Sequence, residues 1–190
     1  MPRVVRTLFG RTETALAAAI VVSAIVFSVA SAYFLTMPNL VDLVEAYSVT
    51  TILAAGVFVV LVSGGIDISF TATASAAQYL AAYLMVRQGV PAVPALALAA
   101  LLGIAMGGIN ALLTYHLRVV SIIVTIATAS IYYALMIYFT NAEEIYNLPD
   151  WWSNGVSFFR YETANGDIVK ITLPIVVMAV VVALTQYLMS

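Results

Sequence analysis

The 190-residue chain has no cysteine, one histidine and very few charged side chains. Without cysteine, disulfides, thiolate metal sites and cysteine nucleophiles are excluded, and a single histidine, His116, argues against a histidine-rich metal site. The seven Lys and Arg residues form no basic stripe and the formal net charge is −2, so no nucleic-acid partner is expected. We therefore predict neither a metal nor any other cofactor.

Motifs for nucleotide binding and hydrolysis are also missing. The chain has no Gly-x-x-x-x-Gly-Lys-Ser/Thr phosphate loop, which predicts that it does not bind ATP itself. It has neither a Gly-x-Ser-x-Gly elbow nor a His-Glu-x-x-His helix. Asp67 has no second carboxylate or histidine in a plausible nearby span, so an intramembrane enzyme is the least favoured class. No catalytic residue is predicted.

What the chain has instead is a series of long apolar runs. Hydrophobic residues make up 64% of the sequence and charged residues 8%, against roughly 25% charged in an ordinary soluble domain. This composition predicts an all-α, polytopic membrane protein in a lipid bilayer, with about six transmembrane helices. The predicted spans are residues 14–35, 48–63, 69–86, 92–113, 119–140 and 171–188.

A short basic leader precedes the first span. Arg3, Arg6 and Arg11 favour a cytoplasmic N-terminus, which makes residues 36–47 and 141–170 external connections. The other charges decide little, since this arrangement puts four Lys or Arg residues inside and three outside. The alternative is a secretory signal peptide, because Ala30-Ser31-Ala32 has the small residues of a cleavage site.

Two glycines and a carboxylate separate the second span from the third. At about 1.5 Å per residue these runs reach roughly 24 and 27 Å, against about 30 Å of hydrocarbon. Gly64-Gly65-Ile66-Asp67 is therefore expected partly within the membrane, where its backbone must be covered by protein or line a cavity. Asp67 has two interpretations. With Ser69 it can cap the third helix, or it can belong to a substrate path, as ionisable residues in membranes often do.

Small residues mark one face of the fourth span. Ala99, Gly103, Gly107 and Ala111 recur every four residues, which leaves a smooth strip for a neighbouring helix backbone. We therefore predict close helix packing at Gly103 and Gly107.

Hydroxyl groups mark one face of the fifth span. Ser121, Thr125, Thr128 and Tyr132 fall on the same side of a helix. They either line a hydrophilic path or hydrogen-bond within the protein. The candidate path residues are Asp67, Ser69, Gln78, Ser121, Thr125, Thr128 and Tyr132, with Gly64 and Gly65 as the helix break.

Residues 141–170 form the long polar segment of the chain. It is acidic with interleaved aromatic residues, which indicates an external loop with an element at the membrane surface. Trp151 and Trp152 are expected to anchor a helix end at the level of the lipid headgroups. Stacking on a sugar is the alternative for this pair.

The sequence around the break resembles that of a known family. Gly64-Gly65-Ile66-Asp67-Ile68-Ser69 is similar to the Gly-Gly-Ile-Asp-Leu-Ser signature of the ribose-type permeases, the membrane subunits of bacterial ABC importers for simple sugars. Residues 107–113 and 118–128 resemble that family's Gly-x-x-Asn-Gly-Leu-Leu and Phe-Ile-x-Thr-Leu-Gly-Thr segments in order and spacing. Phe70, Thr71, Ala111 and Ala127 depart from the pattern, which leaves the substrate open.

The resemblance implies a permease subunit of the bacterial inner membrane that moves a ribose-like monosaccharide delivered by a periplasmic sugar-binding protein. It implies a cytoplasmic ABC ATPase and a second permease subunit, in a homo- or heterodimer, as further partners. Because such permeases are usually considerably longer, residues 1–190 are expected to be a single transmembrane domain from the N-terminal portion of one. The alternatives are a permease for a nucleoside, autoinducer-2 or a branched-chain amino acid, or a membrane interaction protein that does not transport.

Overall fold

Seven helices and one β-hairpin make up the described part of the chain. The computed structural model describes residues 11–153, 155–162, 166 and 168–189. In chain order the elements are α1 (Arg11–Ala30), α2 (Met37–Val62), α3 (Phe70–Val86), α4 (Ala92–Leu117), α5 (Ser121–Thr140), α6 (Asp150–Ser153), β1 (Ser157–Glu162), β2 (Ile168–Thr172) and α7 (Leu173–Met189). The predicted break is confirmed, since α2 ends at Val62 and α3 begins at Phe70.

Three of these helices are long and apolar enough to cross a membrane, namely α2, α4 and α5. Two shorter apolar helices are α1, counted from Thr14, and α7. The all-α polytopic class is therefore confirmed. The count of about six spans stays a prediction for the remaining helices.

The helix α2 begins earlier than the sequence predicted. The expected external connection over residues 36–47 is wrong, because Met37–Tyr47 is helical. Pro38 is compatible with the first turn, where backbone N–H groups have no intrahelical partner, and Asn39 Nδ2 donates to Phe34 O at 2.7 Å. At about 1.5 Å per residue, the 26-residue helix reaches roughly 39 Å, which is long enough to span.

The helix α4 also extends beyond its predicted end at Leu113. The expected polar link over residues 114–118 is helical as far as Leu117. The helix ends at Arg118, whose φ of 53° places it in the left-handed region typical of helix C-termini. Only residues 118–120 therefore connect α4 to α5.

The predicted external loop over residues 141–170 contains regular structure. One turn of helix, α6, includes Trp151 and Trp152, while β1 and β2 pair in a two-stranded sheet. These strands were not predicted, although three of the six residues of β1 are aromatic and four of the five residues of β2 are β-branched. Between them, Gly166 has a φ of 83°.

The chain divides into two compact units. One contains the chain up to Tyr47 together with Phe159–Ile171, and the other contains Ser48–Phe158 together with the chain from Thr172 onward. In the second unit α3 packs against α4 and α5, and α4 also packs against α5. These three helices carry the candidate site.

The core of this second unit consists of two clusters between α3, α4 and α5. The first is formed by Ala81, Met85, Ala95 and Ala99, near the turn between α3 and α4. The second is formed by Ala72, Met106 and Tyr132, nearer the break. Because most of these side chains are small, α3 and α4 approach each other closely, as membrane helices do where small residues meet.

Candidate functional site

The break is the segment Gly64–Ser69, in which the chain leaves α2 and turns into α3. Gly64 has a φ of 84°, a left-handed conformation that residues with side chains rarely adopt. A Cβ atom on Gly65 would lie 3.2 Å from Val60 Cγ1 and 3.4 Å from Ser121 Oγ. The first glycine is therefore favoured by its conformation and the second by the close approach of neighbouring groups.

Hydroxyl groups of α5 bind the backbone of the break. The Ile66 N–H donates to Ser121 Oγ at 2.8 Å, and the Ile68 N–H donates to Thr125 Oγ1 at 3.2 Å. Thr125 Oγ1 also donates to Ile66 O at 3.2 Å. Non-helical backbone at membrane depth needs such partners because lipid supplies none. The start of α5 thus replaces the hydrogen bonds that the interrupted helix lacks.

Asp67 and Ser69 form a turn at the start of α3. Ser69 is the N-cap residue, but its side chain makes no cap hydrogen bond. Asp67 Oδ1 accepts from the Ser69 N–H and from Ser69 Oγ, both at 2.7 Å. The two predicted capping candidates therefore bind each other, and Asp67 fixes the chain just before the helix in the manner of an Asx turn.

A buried hydrogen-bonded chain joins the break to α4 and α5. Asn110 Nδ2 donates to Ser69 Oγ at 2.6 Å, and the Tyr132 hydroxyl lies 3.4 Å from Asn110 Oδ1. The same hydroxyl donates to Met106 O at 2.9 Å. Ser69, Asn110 and Tyr132 are all at most 8% exposed. We call Tyr132, Asn110, Ser69 and Asp67 the Asn110 chain.

The predicted hydroxyl face of α5 has partners within the protein. Ser121 and Thr125 bind the break, Tyr132 binds α4, and Thr128 Oγ1 donates to Val124 O at 3.0 Å on its own helix. Thr125, Thr128 and Tyr132 are buried. For these residues a place in a substrate path stays a prediction.

An open groove of about 500 Å³ begins at the break and follows α3. One face each of α2, α3 and α4 lines it, together with Trp152. The polar lining residues are Asp67, Thr73 and Gln78, and no Lys, Arg or His is among the described residues that line it. We call it the Asp67 groove. It brings together Asp67 and Gln78, which the sequence suggested separately.

The predicted packing strip of α4 forms one wall of the Asp67 groove. A Cβ atom on Gly103 would lie 3.9 Å from Thr73 Cγ2, which is ordinary contact with α3. Around Gly107, apart from its chain neighbours and the nearby backbone of its own helix, no described residue has an atom within 4 Å of such a Cβ. The closest approach therefore lies on the Gly103 side of the strip, and both glycines line the open groove.

The two tryptophans pack on the opposite end of α3 from the break. Trp151 and Trp152 contact the first core cluster, which includes Met85 near the end of α3, and their ring centroids are 5.6 Å apart. Trp152 also lines the Asp67 groove. The groove therefore extends from a carboxylate at one end to an indole at the other.

A second open groove of about 670 Å³ lies between α3, α4 and α5. Its lining includes Tyr83, Met106, Tyr132 and Glu143, and we call it the Tyr132 groove. The Asn110 chain thus has Asp67 in one groove and Tyr132 in the other.

Sequence comparison relates this arrangement to known proteins. The family described as "Branched-chain amino acid transport system / permease component" matches residues 39–190, which include the break, the Asn110 chain and both grooves. The chain belongs to this permease family. The resemblance predicted from the break motif is thereby confirmed, and the protein is a multi-pass membrane protein of a transport family.

One curated relative of this permease chain is the D-allose transport system permease protein AlsC of Escherichia coli (strain K12). The two are 27% identical over 168 residues, which cover 88% of this chain and 49% of the relative. The permease chain thus spans about half the length of the curated relative that it matches. No solved structure matches it.

Asn110 is the site residue that the sequence did not single out. An asparagine in the middle of an apolar helix is a signal in itself, because polar side chains in membrane helices pair with neighbouring helices. Its partners Ser69 and Tyr132 lie 41 and 22 residues away. The local sequence of the permease chain therefore indicates that Asn110 is paired, but not with which groups.

Proposed function

We propose that this chain is the membrane-spanning portion of a permease subunit in a bacterial ABC importer, and that the imported solute is a simple sugar. The observation that carries the proposal is the Asp67 groove, in a chain that belongs to a permease family. Its volume of about 500 Å³ falls within the roughly 300–1,000 Å³ of small-molecule sites. The curated relative is named for D-allose, a monosaccharide, which supports a sugar.

The polar groups of the Asp67 groove suit a neutral polyhydroxylated solute. A carboxylate only accepts hydrogen bonds when ionised, whereas an amide and a hydroxyl both donate and accept. Asp67, Thr73 and Gln78 therefore offer both kinds of partner to sugar hydroxyl groups. The Trp152 ring at the far end adds an apolar surface for the carbon-bound hydrogens of a sugar ring.

A branched-chain amino acid is the second candidate, because the description of the family names such a transport system. The carboxylate of an amino acid is best bound by arginine, lysine or several N–H donors. The described residues that line the Asp67 groove include no Lys, Arg or His, and their one charged group is an acid. The presence of an acidic group without a basic one in this lining favours a sugar over an amino acid. Nucleosides and autoinducer-2 remain alternative solutes.

The orientation follows from the basic leader together with the ends of the helices. With the N-terminus in the cytoplasm, the turn after α3 and the loop after α5 face outward. Arg87 Nη2 lies 3.7 Å from Glu143 Oε2, which supports a common side for these two connections. In a bacterial inner membrane the Trp152 end of the Asp67 groove then faces the periplasm, and the break lies toward the cytoplasm.

Transport by this subunit requires partners. A periplasmic sugar-binding protein delivers the solute at the Trp152 end, a separate cytoplasmic ABC ATPase supplies the energy, and a second permease subunit completes the path. In this scheme the chain carries no catalytic residue and works by alternating access. Because the chain spans about half of its curated relative, these partners are proposed for the whole permease.

Uptake measurements test the proposal directly. The permease is expressed with its own ATPase and binding protein in bacteria that lack endogenous sugar permeases. Uptake of radiolabelled D-allose, D-ribose, L-leucine and uridine is then compared. We expect uptake of a monosaccharide, with competition by other sugars and none by leucine. Uptake of leucine without any sugar would overturn the proposal in favour of the second candidate.

A further inference from the structure

Asn110 occupies a buried position that requires hydrogen-bond partners. It lies within α4, and only 6% of it is exposed. A buried side-chain amide without partners destabilises a protein, and in hydrocarbon it finds no water to replace them. Asn110 meets this requirement with Ser69 on one side and Tyr132 on the other. Its two polar atoms therefore connect the break to α5.

The donors in the Asn110 chain fix its direction. The Ser69 hydroxyl has one proton and accepts from Asn110 Nδ2 at 2.6 Å, so that proton is directed to Asp67 Oδ1 at 2.7 Å. On the other side, Asn110 Oδ1 lies 3.4 Å from the Tyr132 hydroxyl, whose one proton is shared with the nearer Met106 O at 2.9 Å. The two bonds from Asn110 to Ser69 and from Ser69 to Asp67 therefore both donate toward Asp67.

Among the described residues, this arrangement leaves the second carboxylate oxygen of Asp67 without a donor. Both hydrogen bonds to Asp67 from the described residues fall on Oδ1, from the Ser69 N–H and from Ser69 Oγ. Asp67 lines the open groove. A carboxylate fixed through one oxygen has a defined orientation, and its Oδ2 can accept from a donor in the groove.

We propose that Asn110 is a positioning residue for Asp67. Acting through Ser69, it holds the carboxylate so that Oδ2 accepts a hydrogen bond from a hydroxyl group of the solute. The geometry of this assignment rests on the Asn110 chain alone, whereas the identity of the ligand as a neutral polyol rests on the proposed function. Asn110 itself does not touch the solute.

The first experiment tests the geometry without any transport. The full chain is purified in lipid nanodiscs with aspartate labelled with ¹³C at Cγ, and the Asp67 signal is identified by its loss in Asp67→Asn. Asn110→Leu removes the donor to Ser69, and Ser69→Ala removes the hydroxyl donor to Asp67 while keeping the backbone N–H donor. We expect each variant to shift the Asp67 signal, and the double variant to shift it no further than Ser69→Ala does.

Ser130→Ala is the matched control. Ser130 lies on α5, and its hydroxyl donates to Ile126 O at 3.1 Å on its own helix. The control should leave the Asp67 signal unchanged. An Asp67 signal that is also unchanged in Asn110→Leu, or shifts that simply add in the double variant, would overturn the positioning role.

The second experiment uses uptake of D-allose or D-ribose by the complete transport system. Because an external binding protein sets the concentration dependence, Asn110→Leu should lower the maximal rate by about three- to tenfold, the effect of one hydrogen bond, without changing the half-saturating concentration. Asp67→Asn should lower it at least as much. Adding Asn110→Leu to Asp67→Asn should then cause no further loss, because the group that is positioned has already been replaced.

The combined outcomes separate the two proposals. Independent losses in the double variant would mean that Asn110 acts structurally, and the positioning role would be rejected even if sugar uptake is observed. If the wild-type system takes up no sugar but the Asp67 signal responds as expected, the proposed solute is wrong and the geometric assignment holds. Equal protein amounts in the membrane are required for every comparison.

Discussion

The Ile66 N–H donates to Ser121 Oγ at 2.8 Å, which joins two residues 55 positions apart in the sequence. Together with Thr125, this contact provides side-chain partners for backbone groups that the break removes from the helical pattern. The break is therefore a structure shared by α2, α3 and α5, and its stability depends on residues outside it.

The first prediction concerns Thr125, which is 3% exposed and binds both Ile66 and Ile68 of the break. Thr125→Val keeps the shape of the side chain and removes both hydrogen bonds. We expect the free energy of unfolding to fall by about 1–3 kcal/mol, because the Ile68 N–H loses its partner in a break where lipid supplies none. Denaturation in mixed detergent micelles, followed by circular dichroism, measures the change.

Thr185→Val provides the control for this substitution. Thr185 lies on α7, and its hydroxyl donates to Val181 O of the same helix at 2.8 Å. Loss of this hydrogen bond should lower the free energy of unfolding much less than Thr125→Val does. Equal effects of the two substitutions would contradict a special role for Thr125 at the break.

The second prediction compares two glycines. Gly64 has a φ of 84°, so Gly64→Ala should destabilise the protein by roughly 1–2 kcal/mol through backbone strain. Gly107 is helical and, apart from its chain neighbours and the nearby backbone of its own helix, a Cβ there would meet no described atom within 4 Å, so Gly107→Ala should be neutral or stabilise by about 0.5–1 kcal/mol. Measured free energies of unfolding of the two variants test this prediction. If both substitutions destabilise the protein, or both stabilise it, the assigned conformations of the two glycines are refuted.

The third prediction uses the absence of native cysteine. A Cβ atom on residue 103 would lie 3.9 Å from the methyl carbon of Thr73. The double variant Thr73→Cys with Gly103→Cys therefore places two cysteines on facing positions of α3 and α4. The thiol of residue 73 would take a γ position like that of this methyl carbon, so the two cysteines are within contact range of each other, and mild oxidation should crosslink α3 to α4. Pairing Thr73→Cys with Gly107→Cys should give no crosslink. Peptide mass spectrometry after proteolysis distinguishes the two, and the reverse pattern would mean that the register of the two helices is wrong.

The fourth prediction concerns orientation. Arg87→Cys and Glu143→Cys, made singly, should react with a membrane-impermeant maleimide added to intact spheroplasts. His116→Cys, near the end of α4, should react only after the membrane is opened. The Cys-free chain gives no background labelling. If His116→Cys is the one variant of the three that is labelled in intact spheroplasts, the true orientation is the reverse of the proposed one.

The fifth prediction concerns Gln78, which lines the Asp67 groove and is exposed. Gln78→Leu should lower the maximal rate of sugar uptake by roughly 2- to 13-fold, corresponding to about 0.5–1.5 kcal/mol for one lost hydrogen bond. Stability should be unaffected. Gln88→Leu, which changes an exposed glutamine just after α3, serves as the control. Equal uptake by the two variants would remove Gln78 from the solute path.

The position of the break was predictable because its signals are local. Two adjacent glycines followed by Asp67 interrupt the apolar pattern within a few residues, and Gly64 indeed needs a conformation that suits glycine. The start of α2 was not predicted, because Pro38 and Asn39 are typical of loops and also of first helical turns. Sequence near a helix start often allows both readings.

The partners of the buried polar residues were not predictable for a different reason. The spacing of Thr125 and Tyr132 places both on one face of α5, but their contacts depend on which helix packs there. Only the packing of α3, α4 and α5 brings Ser69, Asn110 and Tyr132 together. The sequence left two interpretations of these hydroxyl groups open, a hydrophilic path or hydrogen bonds within the protein. Without the helix packing it could not show which groups they bind.

The hydrogen bonds between the break and α5 also constrain the order of biosynthesis. Ile66 leaves the ribosome 55 residues before Ser121, which corresponds to roughly 3–11 s at about 5–20 residues per second. During this interval α2 and α3 are already available for membrane insertion, while the amides between them lack their final partners. Water or the insertion machinery must satisfy these amides until α5 arrives. The nascent permease therefore passes through a stage in which its central turn is open, and α5 closes it.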